Sequence, residues 1–268
     1  MVIAEKIKDV RRQLETTGPS LHKKALLALP SSTLVVEEVT DPDSQEFKKA
    51  MQIYVKTFPK DEREEVYKIA NYLKSTQKTG KAHPGSNSEF HVLVVRDTTI
   101  AGNKTDQIVA ASQMSYFPGD RFGVRWYTSV DPRSRGSLLR IVEGVDNFMP
   151  QLQQYAAKHG EKPIGFFNDV EVSKKSMGDI VERTGYFVKD VEFEIPPVRK
   201  GGHAHATRLG FMPYQSVDLP GWALRRIVGE YMKSGFGIKQ KDLERNPQYL
   251  KAVKNINDDN LYRFAKKR

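Results

Sequence analysis

The sequence predicts an α+β fold in which a mixed, mostly antiparallel central sheet is flanked by helices, and three observations predict it. Residues 90–96, 108–117 and 122–130 follow one another as strand patterns, joined by turn-type sequences at Gly102-Asn103 and Pro118-Gly119-Asp120. Three strands linked that closely read as an antiparallel meander. The third strand then runs into a long amphipathic pattern over 136–159 and a further apolar strand over 163–172. A strand, helix and strand of this length form a crossover, so these two strands are expected to be parallel. Finally, helical apolar periodicity recurs on both sides of this centre.

Residues 2–17 place Ile3, Ile7, Val10 and Leu14 at helical spacing until Gly18-Pro19 stops the run, and a short helix is expected over 21–29. Residues 33–40 read as a strand. Asp41-Pro42-Asp43-Ser44 supplies turn and N-cap chemistry for a helix carrying Phe47, Met51, Tyr54, Val55 and Phe58, which Pro59 breaks. Asp61 is the expected cap of a second helix through Val66, Ile69, Ala70 and Leu73, and the Lys/Gly/Ser/Asn-rich residues 75–89 read as a loop. Past the meander, Pro150 is predicted to kink or split the 136–159 helix. A short helix over 176–184 precedes a strand from Gly185-Tyr186-Phe187 through Val191, Phe193 and Ile195. A loop over 196–207 holds His203 and His205, and a strand is expected over 211–219. An amphipathic helix over 221–234 carries Trp222, Leu224, Ile227, Val228 and Tyr231, followed by short helical pieces over 240–265. The expected division is an N-terminal helical extension (1–30), a core (31–220) and a basic helical C-terminal extension (221–268).

A hydrophobic content of 38% with 10% aromatics supports a packed core. The longest apolar run, Ala25-Leu26-Leu27-Ala28-Leu29, is far short of the ~20 residues of a membrane span, so no membrane partner is expected. The first residues lack a signal-peptide apolar block, and a chain with no cysteine has no disulfide, thiolate nucleophile or Cys-based zinc site. The expectation is a soluble cytoplasmic protein. Of the formal charge of +10, residues 199–268 carry +9 (15 Lys and Arg against 6 Asp and Glu). Such a field attracts nucleic acid, an acidic protein or a phosphate-bearing ligand, unless it is only a solvated tail.

Two motifs carry candidate chemistry. In Val130-Asp131-Pro132-Arg133-Ser134-Arg135-Gly136-Ser137 a strand hands over to a helix through a short Arg/Ser/Gly turn. A turn of that kind aims unpaired backbone N–H groups at whatever lies in front and suits an anion, the alternative being a bare loop with a helix cap. Asn168-Asp169-Val170-Glu171 ends the probable parallel strand, where open sheets place their ligands. Alternation puts Asp169 and Glu171 on one face, so Glu171 is the first candidate for general base and Asp169 the second. A hydrogen-bonded structural pair is the competing reading. Tyr127 and Tyr116 are candidates to line an acceptor side, or else belong to the core. His203 and His205 could form an acid/base pair or a lid on a surface loop. His-x-His without further ligands is weak as a metal site, and no metal is expected.

The order of elements, with Val130-Asp131-Pro132, Arg135-Gly136, Asn168 and Arg183-Thr184-Gly185-Tyr186-Phe187, resembles the GNAT acyltransferase superfamily over roughly residues 33–219. The resemblance implies that the fourth strand splays from the fifth and that the opening takes the pantetheine arm of acyl-coenzyme A, acetyl-CoA first. It implies donor contacts at Arg135, Gly136, Ser137, Leu138 and Asn168, with backbone amides of the turn on the pyrophosphate. An amide near Ser129-Val130 would polarise the thioester carbonyl. A Glu or Asp would serve as base, and direct transfer without a covalent intermediate suits a chain without cysteine. The family's acid, a Tyr on the helix after the fifth strand, has no counterpart in 176–184. Leu138 and Arg140 stand where the family's turn has small residues. The donor is therefore coenzyme A bound in a modified way, or an acyl group on an acidic carrier protein or other carrier. The implied activity is N-acyl transfer to a small-molecule amine or amino-acid-like acceptor. A degenerate scaffold binding protein or RNA through the basic C-terminal quarter is the non-enzymatic alternative.

Overall fold

The computed structural model describes residues 34–137, 148–171, 185–195 and 205–266. Strand β1 (Leu34–Val39) leads into α1 (Gln45–Thr57), whose N-cap Ser44 accepts from the Phe47 N–H as the sequence predicts. Helix α2 (Val66–Thr79) follows, then the meander β2 (Glu89–Asp97), β3 (Ile108–Phe117) and β4 (Phe122–Val130). A 3-10 turn (Pro132–Ser137), α3 (Met149–Lys158), β5 (Gly165–Glu171), β6 (Tyr186–Ile195) and β7 (His205–Pro213) complete the main sheet. Its order is β1-β2-β3-β4-β5-β7-β6, and β4–β5 is its one parallel pair. The sheet is thus mixed and mostly antiparallel, as the sequence predicts.

Alternation on β2 divides the two faces. Phe90, Val92 and Val94 pack under α1 and α2 with Met51, Tyr54 and Leu73, while Leu93 and Val95 pack under α3 with Leu152 and Tyr155. Beyond β7, strand β8 (Val217–Pro220) feeds α4 (Gly221–Phe236), and α5 (Gln240–Leu243), α6 (Pro247–Val253) and β9 (Leu261–Phe264) follow. Leu224, Ile227, Val228, Tyr231 and Met232 of α4 join a core with Phe122, Val124 and Phe167 from β4 and β5. Each such side chain, fully buried, contributes roughly 1.5–3 kcal/mol. Antiparallel pairing of β8 with β9 fixes the start of α4. There a Cβ on Gly221 would lie 1.9 Å from the Asn257 carbonyl oxygen, an approach that only glycine permits. Among the described residues no helix is long and apolar enough to cross a membrane.

Several expectations need correction. Asp61 does not cap α2: Glu65 holds the N-cap position, without a side-chain cap bond. Residues 75–79 are helical, and α2 ends only at Gly80, which takes the left-handed conformation at φ 69°. The expected strand over 211–219 is two strands, β7 and β8, and β7 begins at His205, which the sequence put in a loop. The C-terminal pieces include a strand, β9, and not helices alone. Pro150 lies in the first turn of α3, where its missing N–H costs nothing, and the expected kink or split there involves residues before 148 that lie outside the described ones. The expected helices over 2–17, 21–29 and 176–184, the first half of the 136–159 helix, and His203 lie outside the described residues.

Candidate functional site

The pairing of β4 with β5 covers only Phe122–Val124 against Gly165–Phe167. Beyond it the strands part, and a cleft of about 740 Å³ opens between them on the face carrying α1 and α2. A β-bulge marks where this begins. Gln113 pairs with Tyr127 and Met114 with Arg125, which leaves Trp126 as the extra residue. A bulge bends its strand and re-aims side chains. The Trp126 indole N–H donates to Ser115 Oγ at 2.8 Å, and its ring stacks on Tyr231 of α4 at 5.0 Å.

Asp169 and Glu171 both line the cleft, as alternation on β5 predicts. Asp169 Oδ1 accepts from the Tyr231 hydroxyl at 2.7 Å. Burial, and then the Asp169 charge, push the Tyr231 hydroxyl well above the ordinary tyrosine range, so Tyr231 stays protonated and donates. Tyr127 lines the same space. Its hydroxyl donates to the Glu62 carbonyl at 3.2 Å, and its ring meets Tyr54 and Phe58 edge-on at 5.1 and 5.0 Å. Burial, and then Asp169, raise its pKa well above the ordinary range too. Tyr116 is not on the acceptor side: it lies on the α3 face, donating to Glu161 Oε2 at 2.5 Å.

On the donor side, the Asp131 N–H bonds to the Val109 carbonyl at 2.8 Å. The alternation of an antiparallel ladder therefore turns the Ser129 amide toward β3 and the Thr128 and Val130 amides toward the gap. The Ser129 hydroxyl is also committed to β3, donating to the Ala111 carbonyl at 3.2 Å. Asn168 lines the cleft with a buried Oδ1 that has no hydrogen-bond partner. In the turn, the Arg133 N–H is taken by Asp131 Oδ1 at 2.9 Å and the Ser134 N–H by the Asp131 carbonyl at 2.8 Å. Hydrogen bonds from the Arg133 side chain hold the Asp131 carboxyl down to about 2. Arg135, Gly136 and Ser137 continue the 3-10 turn, their side chains outside the description, as is Leu138.

Charge in the cleft runs opposite to that of the chain. Asp61, Glu62, Glu64, Asp169 and Glu171 line it, and Arg125 is the one Arg or Lys among the described lining residues. Burial draws the Arg125 guanidinium down to about 10, with the Asp169 charge acting the other way. Sequence reasoning missed Arg125, Trp126 and Tyr231. Tyr231 carried a signal, but its spacing with Leu224, Ile227 and Val228 read as a core stripe. Arg125 carried a weaker one, a lone cation inside a strand otherwise made of apolar and small residues from Phe122 to Val130.

No family model matches this chain, and no curated protein matches it in sequence. Among solved structures it is similar to a GNAT-family protein from Bacteroides thetaiotaomicron, at 17% identity and a TM-score of 0.49, over 76% of this chain and 99% of that one. It is also similar to a chain of the NatC complex bound to Gag peptide and CoA (11% identity, TM-score 0.47, 68% of this chain and 99% of that one). A third is spermidine N-acetyltransferase from Vibrio cholerae in complex with CoA and spermine (10%, 0.47, 68% and 96%).

Proposed function

We propose that the chain is an N-acyltransferase that moves an acyl group, acetyl first, from acyl-coenzyme A directly to an amine held in the acidic cleft. The observation that carries this reading is the parting of β4 from β5 after Val124 and Phe167, with a carboxylate at its floor hydrogen-bonded by a protonated tyrosine. The gap suits a pantetheine arm. The Val130 amide faces it, and the unpartnered Asn168 Oδ1 would accept a pantetheine amide N–H. The five carboxylates suit a cationic acceptor, which they would concentrate by charge.

In the reaction the acceptor ammonium first gives one proton to Asp169, or to Glu171, directly or through water. The freed nitrogen attacks the thioester carbonyl, whose developing oxyanion is met by the Val130 amide. The C–N bond forms, the C–S bond breaks, and a second nitrogen proton leaves with the thiolate as thiol. Tyr231 fixes the Asp169 carboxylate. Tyr127, being protonated, lines the acceptor side as a donor and not as a base.

The turn favours a second reading of the donor. With the Arg133 and Ser134 amides both bound to Asp131 and the N–H groups that follow turned inward by the 3-10 bonding of Pro132–Ser137, the described part of the turn offers a pyrophosphate few free amides. A carrier-bound phosphopantetheine, which has no pyrophosphate, asks less of this turn, and the +9 of residues 199–268 suits an acidic carrier. The deciding experiment measures thiol release from acetyl-CoA and from acetylated carrier protein across a panel of amines. Release from acetyl-CoA that needs an amine supports the first reading. Release only from the carrier supports the second, and release from neither removes the enzymatic proposal.

A further inference from the structure

Two arginines are buried in the described strands, and they are treated in opposite ways. Arg96, 4% exposed, pairs with Glu37 at 2.8 Å and Glu46 at 3.6 Å and also donates to the Lys104 carbonyl. Arg125, 6% exposed, makes no hydrogen bond or ion pair with any described residue, although it lines the cleft. A guanidinium offers five N–H donors and stays charged, so burying it unpaired is strongly unfavourable. A ligand oxygen that entered the cleft would remove that penalty.

We infer that the acceptor is an amino-acid-type zwitterion whose carboxylate is bound by Arg125. The planar fork of a guanidinium matches a carboxylate through two parallel hydrogen bonds. Asp169 and Glu171 line the same cleft and receive the ammonium, so its floor carries the two opposite charges that such a molecule presents. The donor's phosphates are the competing anion, and distance sets them aside. Arg125 stands one residue past Val124, where β4–β5 pairing ends, whereas the turn begins at Pro132. Seven residues of extended strand span about 23 Å. A neutral thioester carbonyl gives no reason to keep a full buried charge.

Naming this ligand as the acceptor rests on the acyl-transfer reading; the carboxylate site itself does not. The test is calorimetric titration of the full chain with matched pairs: L-phenylalanine and phenethylamine, L-leucine and isoamylamine, L-lysine and cadaverine. Wild type, Arg125→Met and Arg125→Lys are compared, and acetyl-CoA thiol release is followed separately. Wild type is expected to bind at least one amino acid about tenfold to hundredfold more tightly than its decarboxylated partner. Arg125→Met should abolish that preference, and Arg125→Lys should restore part of it. Arg125→Met should also melt at a higher temperature, because it removes an unpaired buried charge; a lower melting temperature would mean that the arginine is paired inside the fold. Equal binding of acid and amine in wild type, no binding of any amino acid, or a preference that survives Arg125→Met each overturns the inference. Should Arg125→Met not fold, the wild-type pairs and Arg125→Lys decide it. An Arg125-dependent carboxylate preference without thiol release would leave this site standing and remove the acyl-transfer reading. Thiol release with amino acids and their amine partners alike, at a ratio unaffected by Arg125→Met, would do the reverse.

Discussion

The two faces of the sheet hold polar residues in contrasting ways. Under α3, His91 sits between Glu38, 2.6 Å from Nδ1, and Glu89, 3.4 Å from Nε2, and stacks on Tyr155 at 3.7 Å. Glu89 also meets His159 at 2.7 Å, and Tyr116 meets Glu161. Each charge in this network lies against an opposite charge or a donor. The cleft between β4 and β5 instead gathers five carboxylates, and Arg125, which also lines it, makes no hydrogen bond or ion pair with any described residue. Polar groups that pair with one another hold a fold together, while a buried cation with no hydrogen-bond or ion-pair partner among the described residues is available to a ligand.

The contrast makes substitutions on the two faces separable. The largest effect is expected from Asp169→Asn. The amide oxygen keeps the Tyr231 hydrogen bond but the proposed base is gone, so kcat should fall by about 10²–10⁴-fold with little change in unfolding midpoint. Steady-state kinetics beside urea unfolding would check it, and turnover within threefold of wild type would assign Asp169 to structure and the base to Glu171. Glu89→Gln should behave the other way round. Removing one partner of a buried pair costs about 3–5 kcal/mol, and here both His91 and His159 lose a carboxylate. Stability should drop by that order, with kcat per folded molecule unchanged.

The network also sets a pH window. Burial works against the charged form of His91, yet the Glu38 carboxylate that accepts from its Nδ1 and the Glu89 carboxylate beside its Nε2 outweigh it and raise its pKa above 6.5. Its contribution is therefore complete below 6.5 and is lost as pH rises through the raised value. Burial likewise opposes ionisation of Glu38 and Glu89, but bonds to His91 win and lower both below 4.5. Their contribution is complete above 4.5 and is lost as pH falls through the lowered values. Unfolding free energies of wild type and His91→Phe should differ most between pH 4.5 and 6.5 and converge as pH rises above that range.

The smallest effect is expected where a wall of the cleft meets the core. A Cβ on Gly235 would lie 2.6 Å from Trp126 Cζ3. Gly235→Ala should cost about 1–3 kcal/mol through overpacking, offset in part by up to about 1 kcal/mol of helix propensity. Because the displaced ring is the one stacked on Tyr231, kcat/KM should fall as well. Stability lost at full activity would mean that Trp126 has no part in shaping the site.

Much of the sheet was readable because its signals are local. Alternation and the Pro118-Gly119-Asp120 turn bound β3 and β4 to the residue, and Ser44 capped α1 as expected. Asp169 and Glu171 line the cleft because they stand at a strand end, where open sheets bind ligands. What escaped depends on partners distant in sequence. The isolation of Arg125 follows from the bulge at Trp126 and from β5 turning away. His91 reads as one polar residue in an apolar strand until Glu38 and Tyr155 are beside it. Strand β9 is four residues whose pairing with β8 no local pattern announces.

The ribbon of β8 and β9 has a consequence for the order in which the protein assembles. Tyr231 reaches Asp169 across 62 positions of sequence, and Tyr127 reaches Glu62 across 65. Contacts that distant pay their loop-closure entropy late in folding. Helix α4 is seated only when Leu261–Phe264 has zipped onto Val217–Pro220 and brought residue 257 under Gly221. The meander can fold from its own hairpins, whereas the cleft waits for residues 257–264 to be made.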